Sequence, residues 1–409
     1  MVITTVFLSL CRCEYKPSSH EVLSSTLQHT AHNHKESTLP SPCVSSVVVE
    51  NFRNIKSAEL KTSTINIISG SNGSGKSSFL EALFYLSHFK SFRTSKPQRL
   101  IHHDSERFSL FCTATTDSGF VNVGVQRNLS HDQTLKLNYE TAKTSTVAHH
   151  LPMQFLDTQC HELFTAGPAL RRHFLNWGLF HMKQSFHHTW KNFCNILKQR
   201  NAILRQRNIN VLDSWDHQLT PLCEDIHTMR LDYVTQLTPI VKDLIKTLLN
   251  TDYPQVELRY QPGWNTDVCL ASLLKDRLFK DLELGYTQLG PHRADLQIIV
   301  NNRPAQDYFS QGQMKLAAYA LKISQCLLQK SINQKNTIFL IDDLQAELDT
   351  RKQSIIIGLL TELDNQCFYT SLNPSQLLES LERKNDITKF HVEHGRFSKA
   401  QEIHEEISS

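Results

Sequence analysis

The sequence predicts an α/β fold in which one domain is interrupted by an all-helical segment. Residues 70–77 read GSNGSGKS and lie between an apolar, strand-like run and a helix-like run. From residue 163 the apolar side chains keep a mostly helical spacing, and strand-like runs return from about residue 286. We therefore expect the first and last parts of the chain to form one domain, with the helical segment inserted as an arm lobe.

These boundaries divide the chain into four segments. Residues 1–44 are rich in Ser, Thr and His and lack sustained periodicity, which predicts a disordered extension or a wrongly assigned start. The other three are the first part of the interrupted domain (45–162), the arm lobe (163–285) and the last part of the domain (286–409). The apolar spacing of the arm fits a coiled-coil-like seam and ordinary core helices equally well.

The motif at residues 70–77 has the G-x-x-x-x-G-K-S spacing of a phosphate-binding loop. Its glycines permit backbone conformations that a Cβ would forbid, so successive N–H groups can point at a polyphosphate on a helix N-terminus. Lys76 would supply a charge near the β- and γ-phosphates, and Ser77 a hydroxyl ligand for Mg²⁺. The predicted nucleotide-binding residues of this loop are Gly70, Ser71, Asn72, Gly73, Ser74, Gly75, Lys76 and Ser77.

A second acidic element follows the apolar run Thr337–Ile341. This pattern is typical of a buried strand that carries an acidic residue out to the Mg²⁺ ion of a nucleotide site. We predict Asp342 in the metal shell and Asp343 as the catalytic carboxylate that orients or deprotonates the attacking water. The alternative is a strand that ends in a solvated acidic turn.

A third element, Ser310-Gln311-Gly312-Gln313, precedes a helix-like run. A Ser hydroxyl and a Gly N–H at a helix N-terminus can sense a γ-phosphate. The motif is weak alone, but between the two nucleotide motifs it resembles the signature motif of ABC-type ATPases. In that superfamily the motif completes the site of the opposing subunit, which implies ATP held between two copies of the chain. Ser310, Gly312 and Gln313 are therefore candidate nucleotide-binding residues.

Composition is ordinary for a soluble globular protein, with 40% hydrophobic and 20% charged residues. No apolar run approaches the roughly 20 residues that span a bilayer. No Lys or Arg precedes the apolar stretch 2–10, as a signal peptide would require, so we expect a cytoplasmic protein. The ten cysteines include no C-x-x-C pair, which argues against a zinc site or a disulfide framework.

Taken in order, eight groups of residues resemble the RecF family of DNA replication and repair proteins. They are Phe52-Arg53-Asn54, the phosphate-binding loop, Gly167-Pro168-x-x-Arg171-Arg172-x-Phe174-Leu175, Trp177-Gly178, Lys198-Gln199-Arg200-Asn201, Gly290-Pro291-His292-Arg293-Ala294-Asp295, Ser310-x-Gly312-Gln313 and Leu340-Ile341-Asp342-Asp343-x-x-Ala346-Glu347-Leu348-Asp349. The order and spacing fit from about residue 45 to 375.

The resemblance implies an ABC-type P-loop ATPase head with a mixed sheet and a helical second lobe. It implies ATP and Mg²⁺ as cofactors, with Arg53 among the nucleotide contacts, ATP-dependent homodimerisation and slow ATP hydrolysis. It also implies binding to gapped DNA or single-/double-strand junctions in recombinational repair and replication restart, with the RecO and RecR proteins, near the nucleoid and without a membrane partner.

The chain departs from the family pattern at three sites. Thr158-Gln159 replaces a Pro followed by an acid after the expected Q-loop, and Asn176 replaces an Asp. The strand that should precede the ABC switch histidine ends in Thr370-Ser371, whose hydroxyls could still contact a γ-phosphate. We predict Gln154 as the catalytic Q-loop glutamine, with Gln159 as the competitor. Asp349 is either a contact across the dimer or a helix N-cap.

Basic residues cluster where acids are missing. Residues 163–212 contain eight Lys and Arg and no Asp or Glu, and a shorter acid-free stretch lies between Glu81 and Asp104. Such clusters neutralise phosphates without reading bases, which predicts salt-sensitive, sequence-independent DNA binding, although charge runs are usually solvated faces. The candidate DNA-binding residues are Arg93, Arg171, Arg172, Lys198, Arg200 and Arg205.

Two other classes of ATPase share the head motifs. A nucleotide-binding subunit of an ABC transporter would normally lack the basic arm and the GPHRAD segment at residues 290–295. A chromosome ATPase of the structural-maintenance type would need much longer heptad segments, and often a C-x-x-C hook. We therefore favour an ATP-gated DNA-binding protein with weak ATPase activity.

Overall fold

The structure is a computed structural model and describes residues 42–130, 132–250, 255–381 and 386–399. Most of the predicted extension 1–44 lies outside these ranges. Its boundary is two residues too late, because the first strand begins at Cys43. The side chains of Cys43 and Val44 are buried, and the Val44 N–H donates to Gln366 Oε1 at 2.8 Å.

The described residues form fifteen strands and thirteen α-helices. The strands are β1 (Cys43–Phe52), β2 (Ile55–Lys61), β3 (Ile65–Ser69), β4 (Arg107–Thr116), β5 (Gly119–Asn128), β6 (Gln133–Leu137), β7 (Glu140–Thr141), β8 (Met153–Leu156), β9 (Val256–Gln261), β10 (Asp295–Val300), β11 (Arg303–Pro304), β12 (Ile338–Ile341), β13 (Cys367–Ser371), β14 (Ile387–Glu393) and β15 (Arg396–Lys399). The helices are α1 (Lys76–His88), α2 (Thr144–His150), α3 (Glu162–Thr165), α4 (Pro168–Met182), α5 (Gln184–Gln206), α6 (Leu212–Leu249), α7 (Leu270–Asp276), α8 (Leu278–Leu284), α9 (Ala305–Tyr308), α10 (Gln311–Asn333), α11 (Leu344–Glu347), α12 (Thr350–Glu362) and α13 (Ser375–Glu379).

The central sheet has the order β15-β14-β3-β13-β12-β8. All its strands are parallel except β15, which pairs antiparallel with β14, so the predicted mixed sheet is confirmed. Strands β8 and β12 are buried on both faces, as expected for parallel strands covered by helices. The carboxyl ends of β3, β12 and β13 meet at one edge of the sheet, where ligands bind in open α/β folds.

A second sheet has the order β2-β1-β4-β5-β6-β7 and is antiparallel. Strand β5 alternates buried and more exposed side chains from Val121 to Val125, so one face of this sheet packs on the core. Helix α1 packs between this sheet and the central one, so eleven of its thirteen residues are buried. The phosphate-binding loop that precedes α1 is thereby held between two sheets.

Helices α3 to α8 fill the predicted arm segment, and α6 is its longest element. The segment 163–285 is not all-helical, because it also contains β9, which pairs antiparallel with β10 beyond the predicted boundary. The residues of β9 alternate between apolar and charged, Val-Glu-Leu-Arg-Tyr, which is a strand pattern. Arm and head side chains belong to one continuous apolar cluster in the described structure.

Within the described ranges, no helix has the length and apolar character needed to cross a membrane.

Candidate nucleotide-binding site

A cavity of about 890 Å³ opens at the carboxyl edge of the central sheet. It brings together the phosphate-binding loop, the β1–β2 turn, the segment between α1 and β4, and the ends of β8, β12 and β14. Its lining residues are Arg53, Asn54, Asn72, Gly73, Gly75, Lys76, Ser77, Ser78, Arg93, Arg99, Ile101, His102, His103, Thr158, Asp342, Asp343 and His394.

The phosphate-binding loop has the backbone that its sequence predicts. Gly70, Gly73 and Gly75 have φ values of 155°, 77° and 123°. A Cβ on Gly70 would lie 2.3 Å from the Val392 carbonyl oxygen, so only glycine fits there. Lys76 Nζ donates to the carbonyl oxygens of Gly70 (2.7 Å) and Ser71 (3.0 Å). Burial lowers the pKa of Lys76, and the carboxylates at the end of β12 oppose that shift.

Asp342 connects the phosphate-binding loop to the ends of two strands. Its Oδ1 accepts hydrogen bonds from Ser77 Oγ at 3.0 Å and from Thr370 Oγ1 at 2.6 Å. A carboxylate and a hydroxyl are the hard oxygen ligands that Mg²⁺ prefers, so the donor set at Ser77 and Asp342 fits this ion. The predicted metal pair therefore lies together, although the two residues are 265 positions apart.

Thr370 occupies the region where the sequence offered no switch histidine. Its hydroxyl donates to Asp342 Oδ1 and accepts from the Asp343 backbone N–H at 2.9 Å. The side chain of Thr370 is buried, while Asp342 and Asp343 are partly exposed. Asp343 lines the cavity with a left-handed backbone (φ 48°) that Thr370 supports. Thr370 thus contacts the carboxylate of Asp342 and the backbone of Asp343.

Gln154 does not lie in this cavity, and the structure contradicts its predicted catalytic position. It is buried inside β8, and its Nε2 donates to Gln325 Oε1 at 3.2 Å. Strand β8 ends at Leu156, and the cavity lies beyond that end of the strand. Thr158, two residues further on, is therefore the residue from this part of the chain that lines the cavity. Gln154 and the competitor Gln159 instead line a neighbouring cavity of about 290 Å³ at the root of the arm.

Arg53 lines the cavity, but its guanidinium is already engaged. It donates to both carboxylate oxygens of Glu81 (2.9 and 2.8 Å) and to the Arg99 carbonyl oxygen (3.1 Å). Glu81 lies on α1 and is fully buried, so this pair joins the β1–β2 turn to the helix that follows the phosphate-binding loop. The sequence could have indicated this contact, because Glu81 is the one acidic residue in the otherwise mostly apolar helix α1. Arg53 is thus a positioning residue in this geometry.

The predicted signature motif lies at the N-terminus of α10 and outside the cavity of its own chain. Ser310 Oγ accepts from the Gln313 N–H (3.3 Å), and Gln313 Oε1 accepts from the Ser310 N–H (2.9 Å). These two bonds form a capping box that fixes the first turn of the helix. Ser310 and Gly312 are exposed, and no described atom lies within 4 Å of a Cβ built on Gly312. This helix start is therefore an accessible surface.

Asp349 caps α12. Its Oδ1 accepts from the Lys352 N–H at 3.0 Å, and its Oδ2 pairs with the Lys352 ammonium at 2.9 Å. The backbone hydrogen bond from Lys352 is the main reason that its pKa is lowered. The N-cap alternative is thus observed, while a contact across a dimer stays a prediction.

The candidate DNA-binding cations do not share one environment. Arg200 is fully buried between Asp216 (2.5 Å) and Asp281 (2.8 Å), so the prediction that it contacts DNA is wrong in this geometry. Its partners lie 16 and 81 residues away, outside the stretch that looked unopposed.

The two arginines at the start of the arm are also engaged. Arg171 forms a two-pronged ion pair with Asp295 (2.7 and 3.1 Å), and Arg172 donates to the Ala294 carbonyl oxygen at 2.9 Å. These contacts join α4 to β10. Both arginines are half-buried, so their first role is to attach the arm to the head.

The other three candidates are exposed. Lys198 and Arg205 lie on α5, and Arg93 lies in the segment after α1. Arg93 lines the nucleotide cavity and is stacked over the Phe92 ring, with 5.7 Å between the guanidinium carbon and the ring centroid. The structure therefore places Arg93 at the wall of this cavity, and leaves Lys198 and Arg205 accessible on the arm.

The family model and the most similar relatives that we compared with this chain point to the same family. The family model described as "RecF/RecN/SMC N terminal domain" matches residues 43–396. "DNA replication and repair protein RecF" of Coxiella burnetii (strain Dugway 5J108-111) is 38% identical over 358 residues, which cover 87% of this chain and 99% of that protein. The same protein of Shewanella denitrificans is 38% identical over 356 residues, covering 86% and 97%.

Solved structures agree with this result and confirm the predicted ATPase-head fold. The structure described as the recombination mediator protein RecF with ATP in the RecFOR pathway has a TM-score of 0.79 and 25% identity, and covers 90% of this chain and 100% of that chain. An Smc head domain from Pyrococcus furiosus matches with a TM-score of 0.53 and 13% identity, over 88% and 96% of the two chains, which concerns the fold alone. The chain belongs to the RecF family of DNA replication and repair proteins.

Proposed function

We propose that this protein is an ATP-dependent DNA-binding protein of recombinational repair, which binds MgATP, closes as a homodimer on DNA and releases it after slow hydrolysis. The observation that supports this most directly is the convergence of Lys76, Ser77 and Asp342 at one edge of a parallel sheet. A nucleoside triphosphate and its metal need this combination of cation, hydroxyl and carboxylate.

Within the site, each residue has a separate task. The N–H groups of the phosphate-binding loop and Lys76 would bind the β- and γ-phosphates, and Ser77 with Asp342 would hold Mg²⁺. Bound Mg²⁺ supplies charge neutralisation for the transferred phosphoryl group. Asp343 would orient the attacking water, and the Thr370 hydroxyl accepts a hydrogen bond from the Asp343 backbone N–H.

The signature segment supports dimer formation. Ser310 and Gly312 are exposed and lie outside the nucleotide cavity of their own chain. The capping box has already ordered the first turn, so little conformational entropy would be lost when this helix start meets a γ-phosphate. In our proposal the ATP held by one copy is completed by the same segment of a second copy.

DNA binding is proposed for the exposed cations of α5. Lys198 and Arg205 can neutralise phosphates without base contacts, so affinity should depend on salt and hardly on sequence. Gapped DNA or a single-/double-strand junction is the proposed substrate, and the RecO and RecR proteins are the proposed partners. These two proposals rest on membership of the family.

The test is a DNA-binding titration with and without MgATP. Fluorescently labelled gapped, duplex and single-stranded DNA are titrated with the wild-type protein and with Lys76→Met. We expect wild-type affinity for gapped DNA to rise at least about tenfold with ATP, since the coupling free energies of linked sites are commonly 1–3 kcal/mol. Lys76→Met should not respond to ATP. Equal wild-type affinities with and without ATP would contradict the proposal.

A further inference from the structure

The turn between β14 and β15, which we call the C-terminal turn (residues 393–396), is built in an unusual way. His394 and Gly395 both have positive φ values, 48° and 75°. Two consecutive positive values, between the paired residues Glu393 and Arg396, are those of a type I′ hairpin turn. Glycine suits the second position, whereas a histidine is uncommon at the first, where asparagine is preferred.

This turn is fixed to the outer side of the phosphate-binding loop. The Gly395 N–H donates to the Ser74 carbonyl oxygen at 2.7 Å, and Asn54 Nδ2 donates to the Gly73 carbonyl oxygen at 3.1 Å. A Cβ on Gly395 would lie 2.1 Å from the Asn54 carbonyl oxygen, so the two turns touch without room for a side chain. The C-terminal turn therefore lies against the rim of the nucleotide cavity.

The side chain next to this contact points to a role in nucleotide recognition. His394 is exposed and lines the nucleotide cavity. Among the described residues that line the cavity, the only ring-bearing side chains are His102, His103 and His394. A purine base stacks well on a flat ring, so these three imidazoles are the candidates for that contact.

Two of the three rings already have contacts within the protein. His102 is buried, its Nδ1 accepts from the Asp104 N–H at 3.3 Å, and its ring lies 4.3 Å from that of His103. His103 Nε2 in turn lies 3.3 Å from an Asp104 carboxylate oxygen. No ring in the described part of the chain stacks on His394, whose face is accessible at the cavity rim.

From this geometry, and resting on the proposed binding of ATP, we infer that His394 stacks on the purine base of the bound nucleotide. The C-terminal turn then belongs to the nucleotide site in two ways. Gly395 donates a hydrogen bond to the phosphate-binding loop, and His394 would stack on the base of the nucleotide whose phosphates that loop binds. The site should consequently distinguish ATP from a bare triphosphate chain.

The test compares MgATP with magnesium tripolyphosphate by isothermal titration of the wild-type protein and three variants. His394→Asn removes the ring and leaves Asn-Gly, the preferred type I′ pair, so the hairpin should still form. His394→Phe restores a flat ring. His391→Ala is the matched control, because His391 is an exposed histidine of β14, the strand before the turn, and does not line the cavity.

We expect His394→Asn to weaken ATP binding about five- to tenfold, the lower part of the range for base stacking on a ring, and to leave tripolyphosphate affinity unchanged. His394→Phe should bind ATP within about twofold of the wild type, and His391→Ala should match it. Unchanged ATP affinity in His394→Asn would overturn the inference. Equal weakening for both ligands would assign His394 to the phosphates and overturn it too. A wild type that binds no ATP would instead refute the proposed function.

Discussion

Charged side chains serve opposite purposes in the nucleotide cavity and in the arm. At the sheet edge, Asp342 is held by two hydroxyl groups and lies on a cavity wall, where a ligand can still reach it. In the arm, Arg200 is enclosed by two carboxylates, with Thr287 Oγ1 as a further acceptor at 2.9 Å. Hydroxyl groups orient a charge without neutralising it, whereas carboxylates cancel it. The comparison shows which charges remain for a ligand and which hold the fold together.

Replacing Arg200 should have the largest effect on stability. Arg200→Ala leaves two buried carboxylates without their cationic partner, and we expect the free energy of unfolding to fall by about 3–5 kcal/mol. Urea denaturation followed by circular dichroism measures this loss. Lys198→Ala, on the exposed side of the same helix, is the control and should stay within about 0.5 kcal/mol of the wild type. An unfolding free energy that is unchanged in Arg200→Ala would break the comparison.

Replacing Asp342 should mainly reduce hydrolysis. Asp342→Asn keeps the shape of the side chain but removes the charge that would hold Mg²⁺, so we expect kcat for ATP hydrolysis to fall more than about a hundredfold. Phosphate release measures the rate, and thermal melting serves as the control for folding. The melting temperature should change by only a few degrees. Retained hydrolysis in a folded Asp342→Asn variant would show that another carboxylate holds the metal.

Neutralising the exposed arm cations should have an intermediate effect. For the double variant Lys198→Gln and Arg205→Gln, we expect DNA affinity to fall several-fold and the slope of log K against log salt to become shallower by about 2. Fluorescence anisotropy at several salt concentrations measures both quantities. The matched control is Lys280→Gln together with Lys275→Gln, two cations outside the acid-free stretch. A salt slope that is identical in the arm variant and the wild type would exclude α5 as the DNA surface.

The smallest expected effect concerns the cap of α12. Asp349→Ala removes the acceptor for the Lys352 N–H, which should lower the free energy of unfolding slightly. Asp349→Ser retains a capping oxygen and should recover most of that loss. If ATP-dependent dimerisation changes in Asp349→Ser while stability does not, Asp349 has a contact beyond the cap.

The sequence correctly predicted those parts of the site whose backbone shape depends only on residues that are neighbours along the chain. The run from β3 through the glycine-rich loop to α1 is continuous, and its backbone shape follows from its glycines. Asp342 was predictable because a short, fully apolar strand ends directly before it. Each of these predictions needs only residues that are neighbours along the chain.

The predictions that failed depend on distant parts of the chain. Gln154 lies too far inside β8, and the pairing of Leu156 with Ile341 shows where the sheet edge begins. The burial of Arg200 depends on Asp216 and Asp281, which an acid-free window of sequence cannot include. Nothing in the sequence indicated that the C-terminal turn lies at the nucleotide cavity. The hydrogen bond from the Gly395 N–H to the Ser74 carbonyl oxygen joins residues more than 300 positions apart.

In our proposal, the ATP bound by one copy of the chain is also contacted by the signature segment of a second copy. Light scattering coupled to size-exclusion chromatography measures this directly, on the wild type and Ser310→Arg, with and without MgATP. We expect ATP to raise the molar mass of the wild-type protein from that of one chain to that of two. The Ser310→Arg variant should still bind ATP and keep the mass of a single chain. A Ser310→Arg protein that dimerises with ATP as the wild type does would contradict the claim.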